Sequence, residues 1–433
     1  MSDTPPAATR ADRKRRIFAW LTDSDAADLR EGEAGNGLIH VLALTLTKVA
    51  DSLIDPKLVL SWLLAALGAP GAVIGALVPV REAGALLPQL ILARQVEQAA
   101  QRKRIWATGA AVQGLAVLGI GWAVLTLQGA VAGWTVLGLL AVLAAARAAS
   151  SVSYKDVLAR TVAKGRRGAV SGLAGAVAAV AAFGFGLLMA LGVFDVAIPV
   201  LAGALMLAGA AFLLAAALFL RLSEPENGGD GPDEGGAAAL LRPLIEDRQL
   251  QVFVAARAAL TVTALATPFI VMLSSASGER ALNQLGPMVM ASTAAAVLSS
   301  YVWGRLSDRS SRQTLMAAGG LAAVVFVIVG LAGMRPAGLG GAWGAGLAVF
   351  AAQIAYEGVR AGRKLHLTDM ATDDFRARYT ALSNTLIGLA LMAGGGFGLL
   401  ADWVGPAVLL LVFALLALLG AILAARLDEV QHP

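Results

Sequence analysis

Apolar runs dominate this chain, and they are too long and too free of charge for a water-soluble core. Twelve of them follow one another, near residues 37–56, 69–93, 105–127, 131–153, 168–192, 196–220, 250–273, 285–305, 314–334, 339–362, 378–400 and 405–426. A helix needs roughly 20 apolar residues to cross a bilayer. Backbone polar groups in lipid must be satisfied internally, which leaves only helices and closed barrels. Barrel strands alternate apolar and polar side chains, and these runs do not. The chain is 58% hydrophobic and 15% charged, against about half and a quarter for a soluble domain. The abundant Gly and Ala suit close helix packing in lipid. The expected fold class is an all-α membrane protein of twelve transmembrane helices.

The flanking and connecting segments set the domain plan. Residues 1–36 are polar and include Arg13-Lys14-Arg15-Arg16. No small-residue cleavage site follows a short apolar core, so this stretch reads as a cytoplasmic tail with a short surface helix rather than a signal peptide. The run Asn227-Gly228-Gly229-Asp230-Gly231-Pro232-Asp233-Glu234-Gly235-Gly236 cannot pack a core and reads as a linker. The expected division is a tail (1–36), a six-helix bundle (37–221), a cytoplasmic linker (222–248), a second six-helix bundle (249–427) and a cytoplasmic tail (428–433).

Charge sets the orientation. With the N-terminus inside, the inner loops hold Arg102, Lys103 and Arg104, Lys164, Arg166 and Arg167, Arg305, Arg309 and Arg312, while the outer loops hold only Lys57, Arg280 and Arg335. Such an excess of Lys and Arg is the mark of cytoplasmic loops. Both termini are then cytoplasmic, and the expected location is a bacterial inner membrane. The same asymmetry explains the pI of about 9.7 without a nucleic-acid partner.

Between the eighth and ninth runs lies Gly304-Arg305-Leu306-Ser307-Asp308-Arg309-Ser310-Ser311-Arg312, expected as a tight charged turn at a membrane surface. A degenerate copy stands earlier: Ala93 takes the place of Gly304 (304 − 93 = 211) and Glu97 that of Asp308 (308 − 97 = 211). Gly109 and Gly320 keep the same offset, which points to an internal repeat. The turn, the twelve runs and the central linker resemble the major facilitator superfamily, in which a Gly-x-x-x-Asp-Arg-x-x-Arg loop follows the second span of each half. The stretch from Asp55-Pro56-Lys57 to Pro88-Gln89 looks like a bacterial subgroup of it. The resemblance implies two pseudo-symmetric six-helix bundles around a central cavity. It also implies a conformational latch at Gly304, Asp308, Arg309 and Arg312, with Glu97 as its worn counterpart.

Ionisable groups inside spans are costly and so are candidate functional groups. Lys48 and Asp51 share one face of the first span. They read either as a proton-coupling carboxylate held by a cation or as a structural pair close to the surface. Arg81 and Glu82 lie mid-span in the second run. Adjacent residues point about 100° apart on a helix, so each needs a partner on another helix or water. Arg257 lies in the seventh span. Gln353, Tyr356, Glu357 and Arg360 form an i, i+3, i+4, i+7 stripe on the tenth, read as a cavity wall or as an inner gate. Arg147 in the fourth span, with Tyr154-Lys155-Asp156 at its cytoplasmic end, is a weaker candidate, and Arg147 could instead snorkel to the surface. Arg376 and Arg378 could anchor the eleventh span at the headgroups. His40 reads as structural, and His366 and His432 are placed in a loop and a tail. Three scattered histidines and no cysteine give no metal site, and no cofactor is expected. Gly394-Gly395-Gly396-x-Gly398 should let helices approach or bend.

No phosphate-binding loop or nucleophile constellation appears, so an enzyme is not expected. The expected function is secondary active transport of a small solute by alternating access, coupled to protons through Asp51, Glu82 and Glu357. The chain is expected to work as a monomer in the lipid bilayer. Lys48, Arg81, Arg257 and Arg360 favour an anionic or zwitterionic solute. The alternative is a transporter-like fold acting as a receptor or assembly factor.

Overall fold

The computed structural model describes residues 9–88, 92, 99–193, 197–225, 244–275, 285–335, 338–370 and 376–431. Every regular element among them is helical. The short helix α1 (Arg10–Leu21) opens on Thr9, whose hydroxyl accepts from the Asp12 amide at 3.2 Å while the Asp12 carboxylate takes the Thr9 amide at 3.1 Å. This reciprocal cap satisfies donors that a helix start leaves open. The buried Phe18 packs α1 onto the first long helix, α2 (Glu33–Leu53), at Gly37, where any side chain would collide with the ring.

After α2 come α3 (Val59–Ala66), α4 (Gly71–Leu86), α5 (Arg102–Thr126), α6 (Gly129–Thr161), α7 (Arg167–Ala190) and α8 (Ile198–Leu220). The C-terminal set is α9 (Arg248–Leu260), α10 (Val262–Ser275), α11 (Leu285–Arg309), α12 (Ser311–Gly333), α13 (Gly341–Met370), α14 (Arg376–Gly394), α15 (Phe397–Val404) and α16 (Pro406–Ala424). Counting α9–α10 and α14–α15 as broken spans, nine stretches among the described residues are long and apolar enough to cross a membrane. The expected spans outside that set are α2, α4 and α13. Helix α4 has only 16 residues. The other two are diluted by Lys48 and Asp51, and by Gln353, Tyr356 and Glu357.

Several boundaries differ from the apolar runs for local reasons. The seventh run breaks at Thr261, whose hydroxyl bonds back to the Ala258 carbonyl at 2.6 Å. The eleventh breaks at Gly395-Gly396. The fourth and tenth both continue eight residues past their runs, to Thr161 and Met370, because each extension carries strong helix formers, Lys155, Leu158, Ala159 and Arg160 in one and Arg363, Lys364, Leu365 and Leu367 in the other. The expected turn at 304–312 contracts to one residue: Gly304 to Arg309 finish α11, and Ser310 alone breaks the helix. The Ser310 side chain then caps α12 by accepting from the Gln313 amide at 3.1 Å. The linker residues 226–243 and the segment holding Ala93 and Glu97 lie outside the described residues, as does His432.

The two sets of helices pack in matching patterns. Helix α5 lies against α8 and α6, α4 against α6, and α2 against α8 and α7. In the C-terminal set α12 lies against α16 and α13, α11 against α13, and α9 against α16 and α14. Between the sets, α4 meets α14 and α15, and α7 meets α11. The approach is closest at the ends of these helices remote from α1. There a Cβ on Gly75 would lie 2.6 Å from Gly398 Cα, and one on Gly186 would lie 2.7 Å from Met290 N. Only glycine permits such backbone contact. Helices α6 and α13 pack chiefly within their own sets.

Candidate functional site

Helix α2 carries Asp51 to the middle of the N-terminal set, and two arginines from other helices converge on it. Arg81 of α4 donates to Asp51 Oδ1 at 2.5 Å, and Arg147 of α6 reaches both carboxylate oxygens. The side chains of Arg81 and Asp51 are 9% and 20% exposed, so this pair is largely withdrawn from water. The Lys48–Asp51 pair expected from helical spacing does not form. Lys48 Nζ turns to α7 and donates to the Ser171 carbonyl at 3.0 Å, because two guanidiniums already occupy the carboxylate.

Arg147 does not snorkel to the surface. With Ser150, Ser151 and Tyr154 it forms an i, i+3, i+4, i+7 stripe on α6 that lines a cleft of about 210 Å³ together with Lys48 and Asp51. That periodicity matches the α13 stripe and was available in the sequence as a signal for Arg147. His40 belongs to the frame. It is fully buried, Nε2 lies 2.8 Å from Thr161 Oγ1, and its ring sits edge-on to Tyr154 and Phe219.

The α13 stripe is brought together as one connected group. Gln353 Nε2 donates to Glu357 Oε1 at 3.0 Å, and Arg360 approaches both Glu357 oxygens at 3.3 Å. Lys57, expected in an outer loop, instead folds inward and places Nζ 3.3 Å from the centroid of the Tyr356 ring. A cation over an aromatic face is attracted by the ring quadrupole. This contact joins the α2–α3 connection to α13 and so links the two sets of helices.

Glu82 and Arg257 line one small cavity of about 20 Å³ between the sets, with Thr261, Tyr356 and Arg363. Glu82 makes no hydrogen bond or ion pair among the described residues, although Lys57, Arg147 and Arg360 lie within electrostatic reach of it. Arg257 is 8% exposed and donates to Ser383 Oγ at 2.7 Å and to Asn384 Oδ1 at 3.0 Å. Sequence reading does not single out Ser383 and Asn384, because neutral polar residues in a span are cheap and common.

The expected latch residues lie apart from this centre. Gly304, Asp308 and Arg309 end α11, and Asp308 and Arg309 are exposed without a bonded partner among the described residues. Arg312 is drawn to the C-terminal segment, 3.8 Å from Glu429 and 3.3 Å from the Leu427 carbonyl. His366 is not in a loop. It sits in α13, buried, stacked on Phe253, with Nδ1 2.8 Å from Ser311 Oγ. Arg376 and Arg378 begin α14, and their side chains are outside the description. Among the described residues no group of His, Cys, Asp and Glu could hold a metal ion.

At the end remote from α1, Asp402 of α15 accepts the Ala72 amide of α4 at 2.8 Å. A carboxylate at a helix start is favourably placed for the backbone donors and the helix dipole. The central charges therefore lie beneath a contact of glycine backbones and one carboxylate.

No protein-family model and no curated protein matches this sequence. Solved structures do. The nucleoside transporter NupG superposes with a TM-score of 0.67 at 12% identity, covering 90% of this chain and 98% of that one. A bacterial homologue of the human lysosomal transporter Spinster, solved inward-facing and unoccupied, gives 0.59 at 15%, covering 91% and 98%. A POT family transporter in complex with 5-aminolevulinic acid gives 0.67 at 10%, covering 89% and 94%. At such identities the likeness is one of architecture, and it extends over both sets of helices: the chain has the fold of the major facilitator superfamily of membrane transporters.

Proposed function

We propose that this protein is a secondary active transporter that moves a small solute across a bacterial inner membrane by alternating access, coupled to protons. The observation that carries the reading is the charged centre. Asp51, Arg81, Glu82, Arg257, Glu357 and Arg360 converge from helices of both sets, in a chain with nine helical stretches apolar enough to cross a membrane among the described residues. Midplane sites between pseudo-symmetric repeats are where transporters of this architecture hold solute and coupling ion.

In this reading α2, α4 and α13 complete twelve spans, and the two sets are the six-helix bundles 37–221 and 249–427, joined by the 222–248 segment. Positive residues place the tails 1–36 and 428–433 in the cytoplasm. The protein acts as a monomer, without a cofactor. The glycine contacts of Gly75 with Gly398 and of Gly186 with Met290 close the outer end. The inner ends of α6 and α13, packed chiefly within their own bundles, are free to part. Rocking of the bundles exchanges these states and carries the solute past the centre. Gly304, Asp308, Arg309 and Arg312, with Glu97, act as a latch on the inner side, engaged in the opposite state.

Proton coupling rests on Asp51, Glu82 and Glu357. Asp51 is held by two arginines, so protonating it would release both. Glu82 has no bonded partner among the described residues and lines the cavity between the two sets. The test is uptake into proteoliposomes under an imposed pH gradient, using a solute found by thermal-shift screening, since a bound solute stabilises the folded state. Gradient-driven accumulation is expected. Transport indifferent to collapse of the gradient, and to Asp51→Asn, Glu82→Gln and Glu357→Gln together, refutes the coupling.

A further inference from the structure

Resting on the transport reading, we propose that the solute is a small organic anion and that Arg257 receives its carboxylate or phosphate group. Arg257 is 8% exposed, and its two terminal nitrogens are held by neutral oxygens, Ser383 Oγ at 2.7 Å and Asn384 Oδ1 at 3.0 Å. Its Nε has no partner, and no carboxylate stands within ion-pair distance among the described residues. Neutral oxygens aim a guanidinium without offsetting its charge, and buried charges are ordinarily paired. Asp51, by contrast, is saturated by two arginines. The uncompensated positive charge lies on the C-terminal side of the centre.

The surroundings sharpen the class. Arg257 and Arg363 line one cavity with a single carboxylate, Glu82, so the wall carries more positive than negative charge. Thr261 and Tyr356 add hydroxyls to the same wall. A guanidinium presents its donors in a plane and takes oxyanions better than a point charge does. The cavity of about 20 Å³ holds about one water-sized group, so an oxyanion enters as the bundles part.

The arrangement recurs in the other set of helices. Lys48 of α2 donates to the Ser171 carbonyl of α7, as Arg257 of α9 donates to Ser383 of α14. The offsets, 257 − 48 = 209 and 383 − 171 = 212, lie near the 211 of the repeat without matching its register, which carries Lys48 to Ala259 and Ser171 to Leu382. Neither cation has a carboxylate within ion-pair distance among the described residues. The two contacts are alike in kind, a cation tied to neutral oxygen of α7 in one set and of α14 in the other.

The test uses the purified full chain and follows thermal unfolding at matched ionic strength with succinate, inorganic phosphate, glucose and choline. Succinate or phosphate should raise the melting temperature, and which of them does so distinguishes carboxylate from phosphate recognition. Arg257→Gln should weaken the apparent affinity at least tenfold, while Arg257→Lys keeps part of it. Should Arg257→Gln fail to fold, Asn384→Ala serves, with a loss of about threefold to tenfold expected from mis-aiming the guanidinium. Undiminished anion stabilisation in these variants overturns the proposal, and so does the absence of a shift with either anion. Stabilisation by glucose or choline alone overturns it and leaves the transport reading standing. Anion binding through Arg257 without movement across vesicles would instead refute transport, and with it the anion as a transported solute, and leave Arg257 only as an anion-binding site.

Discussion

Asp51 holds three helices together, and its removal has a calculable effect. In Asp51→Asn the buried Arg81, 9% exposed at its side chain, loses its counter-charge and faces Arg147. Removing one partner of a buried ion pair costs about 3–5 kcal/mol, chiefly through the charge left behind. Arg147 is 40% exposed at its side chain and adds at most about 1 kcal/mol, since solvent screens it. Arg81→Gln alone is milder, about 2–3 kcal/mol, because Asp51 keeps its bonds to Arg147 and loses one charge-assisted hydrogen bond. The double variant Asp51→Asn with Arg81→Gln leaves no uncompensated buried charge apart from the half-exposed Arg147. It should therefore recover about 2–3 kcal/mol relative to the sum of the single variants. Equilibrium unfolding of the purified chain in mixed detergent micelles measures each corner of the cycle. Additivity of the two changes to within about 0.5 kcal/mol would show that the pair does not govern stability, and the convergence of α2, α4 and α6 on Asp51 would have to be explained by packing alone.

Three further outcomes are expected. Gly398→Val places a Cβ 2.8 Å from backbone atoms of Ala72, so the remote seal cannot close; a single Ala72→Cys reporter, in a chain without natural cysteine, should then label several-fold faster, and unchanged labelling counts against the seal. Asp402→Ala removes the acceptor for the Ala72 amide and should cost the closed state about 1 kcal/mol, a shift of about fivefold towards the open state read by the same reporter; no shift removes Asp402 from the gate. Asp308→Asn should slow transport while leaving solute affinity nearly unchanged, and a large loss of binding with normal cycling would overturn the latch assignment.

Much of the architecture was open to reading because lipid punishes exceptions. Apolar runs of membrane length must become helices, and most boundaries fall within a few residues of the runs. Inside the site, helical periodicity tells which residues share a face of one helix, and it rightly gathers Gln353, Glu357 and Arg360. It does not tell how helices are rotated against one another. Spacing on one helix therefore pairs Asp51 with Lys48 three residues away, whereas its partners stand 30 and 96 residues along the chain. Charge near a run's end was equally misleading. Lys57 looked like loop charge and Arg147 like a snorkelling cation, yet both point inward because acids or an aromatic ring await them there. The Gly304–Arg312 stretch misled differently. Its glycine and charges resemble a turn, but only Ser310 has to leave the helix, since its side chain supplies the cap for α12.

Placing the charges and the glycines in different layers has a mechanical consequence. Large interlocking side chains between the two sets of helices would make separation costly, because each buried apolar contact is lost on opening. At the seal part of the contact is made by Gly75, Gly398 and Gly186, which bury little side-chain area, and by one hydrogen bond from the Ala72 amide to Asp402, with Phe269, Met272 and Val289 packed beside these contacts. An exposed hydrogen bond of this kind returns to water at a net loss of about 1 kcal/mol. The centre behaves in the opposite way. Separating Lys57 from Tyr356 releases a charge that water solvates readily, so opening there is partly offset by hydration. Under the proposed alternating access, a seal containing glycine contacts above a hydratable charged layer would narrow the free-energy gap between the two arrangements, and a solute with a few kcal/mol of preference for one of them would then move the protein between them.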